Sequence, residues 1–158
     1  MRDVMWRLAF LLTTISATLE GCPWLNAATA GGFLGGPATE TKIIRPGAGD
    51  DAACTFISPE SSLTELRIEV NTMAAAAKDF RSYSARCQSQ VMPLKAIGNE
   101  ALLCNDDTRD GRVAAQVVGR VRNRAFVVRI VAKGQSVDRA MLREKCSRLA
   151  EQVAGILF

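Results

Sequence analysis

Cysteine is the residue type with the most chemical potential in this sequence, which has 158 residues and five cysteines. They are Cys22, Cys54, Cys87, Cys104 and Cys146. No two of them form a C-x-x-C pair, which argues against thioredoxin-like redox chemistry, and their wide spacing argues against a metal site built from cysteines alone. In an exported chain, scattered cysteines are first of all candidates for disulfide bonds. Because five is an odd number, at least one cysteine has another fate.

The complete absence of histidine excludes whole classes of enzyme. Histidine is the commonest general base near neutral pH and the commonest metal ligand. Ser-His-Asp and Cys-His systems are therefore excluded, as are zinc sites that contain histidine. Glu65 and Glu69 could act as paired carboxylates in glycoside hydrolysis, but aromatic residues, which line sugar clefts, make up only 6% of the chain. We therefore interpret both as surface charges and expect no catalytic residues and no cofactor.

Arginines are concentrated between positions 109 and 129, where lysine is absent. They are Arg109, Arg112, Arg120, Arg122, Arg124 and Arg129. Such a cluster could bind anionic lipid headgroups, a glycopolymer or an acidic partner. The alternation of a half-buried sheet also explains it, and this interpretation is favoured. Nucleic acid is not expected as a partner, because no aromatic residues are interleaved with the arginines.

An acidic loop precedes this cluster. Asp106, Asp107 and Asp110, together with Asn105, could supply oxygen ligands to calcium. The spaced EF-hand pattern and its closing glutamate are missing, so a solvated loop is the favoured interpretation and no metal is expected.

Alternating and β-branched segments indicate several strands. The sequence predicts strands over Thr39–Arg45, Ala52–Ser58, Leu63–Val70 and Ala101–Cys104, and a hairpin of Arg112–Val121 with Arg124–Ala132. In the third strand, Leu66, Ile68 and Val70 share one face, while Arg67 and Glu69 share the other. This pattern is typical of a half-buried strand in an antiparallel sheet.

Three helices are predicted around these strands. A short helix follows the capping residue Asn26, and a second helix spans Thr72–Arg86, capped by Asn71 or Thr72. Ser136 is expected to cap the last helix. The apolar stripe of that helix consists of Leu142, Cys146, Leu149, Val153 and Leu157.

Two residues are expected to interrupt the regular elements. Pro93 is expected to break the chain after the second helix, and Asn123 is expected to adopt the left-handed conformation in the turn of the hairpin. No strand–helix–strand unit repeats. We therefore predict an α+β fold in which one antiparallel sheet packs against two main helices.

The amino-terminal segment has the features of an export signal. Arg2 and Arg7 are followed by an uncharged run, Leu8–Leu19, whose 12 residues suit a signal peptide and are too few for a membrane span. Leu19-Glu20-Gly21-Cys22 resembles a lipobox, although cleavage after Ala17 or Ala30 is an alternative. We predict a signal peptide over residues 1–21 and a single domain over 22–158. The formal net charge of +4 suits a domain near an anionic envelope.

Three motifs together resemble a known family. The stretch 22–26 (CPWLN) opens a short helix that ends in 34–36 (LGG). Residues 54–56 (CTF) lie on a predicted strand, and residues 94–101 (LKAIGNEA) precede the hairpin. This arrangement resembles the DUF3558 family of exported actinobacterial-type lipoproteins and, more loosely, LpqN and the PsbP/Mog1-like sandwich folds. The resemblance implies a binding or assembly subunit without catalytic residues.

The resemblance gives Cys22 two possible roles. Its position before the first helix matches a family cysteine that pairs with the strand cysteine, here Cys54. Its lipobox-like context instead matches the lipidated cysteine, and thioether lipidation would consume the same sulfur. If Cys22 is lipidated, the other four cysteines can pair in three ways. If it bonds Cys54, one of Cys87, Cys104 and Cys146 stays free.

The sequence therefore favours an exported, non-enzymatic domain in the periplasm or outer cell envelope. We expect it to bind an envelope protein, a lipid headgroup or an apolar ligand, and to contact the membrane only through its signal or a lipid anchor. The alternatives are a small carboxylate-dependent hydrolase and a purely structural accessory subunit. A concave apolar cavity would favour ligand binding, an arginine-rich face would favour a partner or headgroup, and converging carboxylates in a cleft would favour the enzyme.

Overall fold

The computed structural model describes residues 21–45 and 51–158. Almost all of the predicted signal peptide lies outside these residues, as does most of the loop after the first strand. The described strands are β1 (Thr39–Ile44), β2 (Ala52–Ile57), β3 (Leu63–Thr72), β4 (Ser89–Leu94), β5 (Glu100–Asn105), β6 (Ala114–Val121) and β7 (Arg124–Ala132). The described helices are α1 (Ala27–Leu34), α2 (Ala76–Ser84) and α3 (Arg139–Leu157).

The strands form one sheet in the order β1-β2-β3-β7-β6-β5-β4, and every neighbouring pair is antiparallel. Two meanders, β1 to β3 and β4 to β7, meet where β3 pairs with β7. This architecture confirms the predicted α+β class with an antiparallel sheet and packed helices. The PsbP/Mog1-like resemblance stays a prediction.

The first face of the sheet carries the main core. The predicted stripe of α3 is buried along its whole length, which confirms that prediction, and it packs against β6 and β7. On the strands, this core includes Phe56, Ile68, Val117 and Val128, none of which is measurably exposed. The layer between the sheet and α3 is therefore built of buried apolar side chains.

A close approach inside this core explains one glycine. Gly119 on β6 lies directly opposite Phe126 on β7, and the Phe126 ring occupies the space that a Cβ atom at Gly119 would need. The tip of the ring therefore packs against the backbone of β6, and only glycine leaves room for it there.

The second face carries a smaller core under α2. Phe80 and Tyr83 of α2 both pack into it, together with Met73 and Val118. A disulfide between Cys87 and Cys104 ties the chain just after α2 to β5. Because α2 is only nine residues long, it covers part of this face and leaves the rest open.

Helix α2 is shorter than the sequence predicts, and the prediction of Asn71 or Thr72 as its cap is wrong. Both residues belong to β3, which continues its pairing with β7 to the end. The Thr72 backbone N–H and side-chain hydroxyl donate to the Asp51 carboxylate, so Thr72 serves the sheet. The helix begins after Ala75, whose backbone N–H donates to the Asp79 carboxylate one turn later. Long-range pairing thus overrides local helix propensity.

Strand β4 was not predicted, because Pro93 suggested a break. Pro93 instead pairs with Leu102 in the outermost strand of the sheet. An edge strand tolerates proline, since its missing N–H can face solvent.

At the start of α3, the predicted cap Ser136 is wrong. Asp138 is the N-cap, and its carboxylate accepts a hydrogen bond from the Ala140 backbone N–H.

The remaining local predictions have mixed outcomes. The Asn26 side chain accepts from the backbone N–H of Thr29, which confirms it as the cap of α1. In the β6–β7 turn, Arg122 has the positive φ of 54° that was expected at Asn123.

Among the described residues, none of the helices combines the length and apolar character that crossing a membrane requires.

Candidate functional site

A polar groove opens on the second face of the sheet, beside the segment that α2 covers. It encloses about 200 Å³. Its lining consists of Arg67, Glu69, Arg86, Asp106, Gln116, Val127 and Arg129. Strands β3, β6 and β7 supply the floor, the chain just after β5 supplies Asp106 and the chain after α2 supplies Arg86. Three arginines and two carboxylates therefore converge over the centre of the sheet.

The strand register lines up the floor of the groove. Arg67 on β3 lies directly opposite Arg129 on β7, which in turn lies opposite Gln116 on β6 and, beyond it, Cys104 on β5. Residues directly opposite one another point to the same face of a sheet. Because neighbouring strands lie about 4.8 Å apart, the three nitrogen-bearing side chains follow one line across the sheet.

Two like charges directly opposite each other normally destabilise a sheet. The Arg67 and Arg129 guanidinium groups form such a pair, and carboxylates around them offset part of the repulsion. Glu69 lies 3.8 Å from Arg67, and Glu65 lies 3.9 Å from Arg129. The Arg129 guanidinium donates hydrogen bonds to both the carboxylate and the backbone carbonyl of Asp106.

Arg86 closes the groove on the helix side. Its two terminal nitrogens donate to the two oxygens of Glu69 at 3.3 and 3.4 Å. The next residue, Cys87, is fixed to β5 by its disulfide, and the Arg86 backbone N–H donates to the carbonyl of Tyr83 at the end of α2. The pKa of Tyr83 is raised, chiefly by burial and then by the negative charge of Glu69.

Gln116 is a buried polar residue at the groove floor, with 3% of its surface exposed. Its side-chain nitrogen lies 3.5 Å from the Arg86 carbonyl oxygen and 4.0 Å from the Cys104 sulfur. Both distances are long for a hydrogen bond, and sulfur is a weak acceptor. The two acceptors of this side-chain N–H are therefore weak ones.

The six arginines predicted as a cluster lie at two ends of the β6–β7 hairpin. At the turn end, Arg120 pairs with Glu100 at 2.8 Å, and Arg124 lies 3.6 Å from Asp51 with its guanidinium over the Trp24 ring. Arg122 occupies the turn itself. At the other end, Arg112 pairs with Asp110 at 2.9 Å, Arg109 is exposed, and Arg129 enters the groove. Of these six arginines, only Arg129 lines the groove together with Arg67 and Arg86.

The cysteines form two disulfides. Cys22 bonds Cys54, Cys87 bonds Cys104, and Cys146 is free and buried on α3. Burial raises the pKa of Cys146 from 9.0 to about 12, so its thiol stays protonated and unreactive at neutral pH. Because the Cys22 sulfur is bonded to Cys54, it is not available for a thioether.

The acidic loop is used for internal ion pairs. Arg139 donates to both oxygens of Asp107, and this bonding holds the Asp107 pKa below its usual value. A hydrogen bond from Thr108 and the pairing with Arg112 do the same for the Asp110 pKa. Across residues 21–45 and 51–158, no group of three or more cysteine or acidic side chains gathers in a way that could hold a metal ion.

The sequence did not single out Arg67, Arg86 or Gln116. Alternation placed Arg67 on the polar face of β3, which indicates solvent exposure as readily as a site. Arg86 lay at the end of a predicted helix, and Gln116 lay inside a strand otherwise rich in valine. The one available signal of a site was Gln116 itself, a glutamine in a strand whose neighbouring residues are apolar.

Comparison of the chain with protein-family models, curated proteins and solved structures finds no match to any of the three.

Proposed function

We propose that this protein is an exported, non-enzymatic binding domain whose groove receives an anionic group of an envelope ligand or partner. The direct opposition of Arg67 and Arg129, with Arg86 on the adjacent wall, carries this proposal. Folding gains nothing from placing two guanidinium groups opposite each other, and positions that break a rule of stability are typical of functional sites. An incoming anion would relieve the repulsion and gain charge-assisted hydrogen bonds.

The two disulfides support export, because such bonds persist in oxidising compartments. The Cys22–Cys54 bond favours a domain without a lipid on Cys22. The signal peptide over residues 1–21 and the DUF3558-like resemblance stay predictions.

Two alternatives have less support. The layer under α3 is filled by apolar side chains of the described residues, so an anionic ligand is favoured over an apolar one. The carboxylates in the groove are paired with arginines, as Glu69 is with Arg67 and Arg86, which suits a structural role better than acid–base chemistry.

Isothermal titration with sodium acetate and with inorganic phosphate at low ionic strength tests the proposal. Replacing Arg67, whose side chain is 47% exposed, by Gln should preserve the fold and weaken anion binding about tenfold. Arg148→Gln is the matched control, because Arg148 is an exposed arginine of α3 whose side chain pairs with Glu144. Raising the salt concentration should weaken binding. Equal affinities for the two variants, or no anion binding by the native protein, would contradict the proposal.

A further inference from the structure

The groove contains carboxylates and an amide as well as arginines, and these groups indicate which anion it selects. Arg67, Arg86 and Arg129 face three carboxylates, those of Glu69, Asp106 and the neighbouring Glu65. The formal charges of these six groups cancel. Because the charges cancel, the groove offers a dianion such as phosphate no net attraction to offset its larger cost of desolvation, whereas a single negative charge costs less to desolvate. The charge balance therefore favours a ligand whose anionic group carries one charge.

The carboxylates also offer acceptors to a ligand. Glu69 and Asp106 line the same groove as the three arginines. An ionised carboxylate has about four lone-pair sites, so each can accept further hydrogen bonds beside its arginine. A ligand with a hydroxyl or ammonium group next to its carboxylate would bond both kinds of group. The volume of about 200 Å³ suits a small polar group of this kind.

Gln116 provides the third element of recognition. Its amide is buried at the floor, in line with the guanidinium groups of Arg67 and Arg129, and its present contacts are long. A ligand oxygen within normal hydrogen-bond distance would be a stronger acceptor for the amide N–H than the Arg86 carbonyl at 3.5 Å or the Cys104 sulfur at 4.0 Å. Guanidinium and amide N–H groups side by side suit the two coplanar oxygens of a carboxylate.

We infer that the groove selects a carboxylate with an adjacent hydrogen-bond donor, and that Gln116 is the specificity-determining residue for the carboxylate. This inference rests on the proposed anion-binding function. The ligand is either a free hydroxy or amino acid or the corresponding end of a larger molecule. Glycolate and glycine represent the two donor types, since they differ from acetate by one hydroxyl or one ammonium group.

The test is a nuclear magnetic resonance titration of the native domain with acetate, glycolate, glycine and inorganic phosphate in turn. Glycolate or glycine should bind about fivefold to tenfold more tightly than acetate, and phosphate should bind more weakly than acetate. Gln116→Met, which keeps the length of the side chain, should remove the preference for acetate over phosphate. Gln152→Met, which replaces an exposed glutamine of α3, should leave it unchanged.

The side-chain amide resonance of Gln116 in the native protein provides a readout that does not depend on any variant. It should move with glycolate or glycine and saturate at the same concentration as the resonances of the arginines. Phosphate binding as tightly as glycine, or a Gln116 resonance that stays fixed during saturation, would overturn the inference while leaving the anion-binding proposal in place. Failure of all four compounds to bind would overturn both.

Discussion

At the scale of single residues, the structure separates positions that serve packing from positions that do not. Gly119 leaves the space that the Phe126 ring occupies, and Cys146 packs as a small apolar side chain of the core. Arg67 and Arg129 contribute to no apolar core, and their opposition costs stability. The first two positions are therefore explained by folding alone, whereas the proposed anion binding explains the opposition of the two arginines.

Replacing Gly119 by Ala should destabilise the fold. The added methyl group would overlap the Phe126 ring, which cannot move without disturbing the core, so the free energy of unfolding should fall by about 1–3 kcal/mol. Guanidinium denaturation measures this change. Gly134→Ala, where a Cβ atom meets no neighbour within 4 Å, should change it by less than about 0.5 kcal/mol. Similar losses for both variants would contradict this account of Gly119.

Cys146 should not react with iodoacetamide in the native protein at pH 8. Its pKa of about 12 lies far above that pH, and its side chain is buried. Intact mass should show no adduct until denaturant is added, and then one. Because the folded pKa is above the unfolded value of 9.0, folding favours the protonated thiol. The stability that this group contributes is complete below pH 9 and is lost as the pH rises toward 12. An adduct on the native protein would refute this assignment.

At the scale of elements, α2 and its disulfide shape the groove. The helix is short, so it covers Val118 and the surrounding apolar residues and stops before the polar row. The bond between Cys87 and Cys104 fixes the chain that carries Arg86. The wall of the groove is therefore held to its floor by a covalent link.

Removing this disulfide with the double substitution Cys87→Ala and Cys104→Ala should affect stability and binding together. Loss of a cross-link of this span, 17 residues, should lower the free energy of unfolding by about 3 kcal/mol. Acetate affinity should also fall, because Arg86 would no longer be held beside Glu69. Cys146→Ala, which breaks no bond, should keep the native affinity. Full acetate affinity in the double variant would show that Arg86 needs no anchor.

The outcomes for β3, β4 and α3 show which features of the fold can be predicted from the sequence. The periodicity of Leu66, Ile68 and Val70 predicted the buried face of β3, and the stripe of α3 was equally clear, because both patterns are local. The end of β3 at Thr72 and the existence of β4 with Pro93 depend on neighbouring strands from distant parts of the chain. Local propensity contains no information about those partners.

At the scale of the whole molecule, the two faces of the sheet have different roles. One face is closed by α3 and α1 over an apolar core, while the other is only partly covered and exposes a charged groove. The groove residues were hard to predict for the same reason as β4. Gln116 and Arg129 belong to one hairpin, but Arg67 joins them only through the pairing of β3 with β7, the junction of the two meanders. Arg86 lies beside them in the chain that the Cys87–Cys104 disulfide fixes to β5. Alternation alone assigned Arg129 to the wet face and gave no sign that Arg67 lies beside it.

The most direct test of the anion-binding groove observes the arginine side chains themselves. In a nitrogen-15 titration of the native domain with acetate at low ionic strength, the Nε–Hε resonances of Arg67, Arg86 and Arg129 should move together and saturate at one concentration. The resonance of Arg148 on α3 should stay in place. Resonances that do not saturate, or that move equally in all four arginines, would show that the groove is a network of ion pairs without a ligand, and would contradict the proposed function.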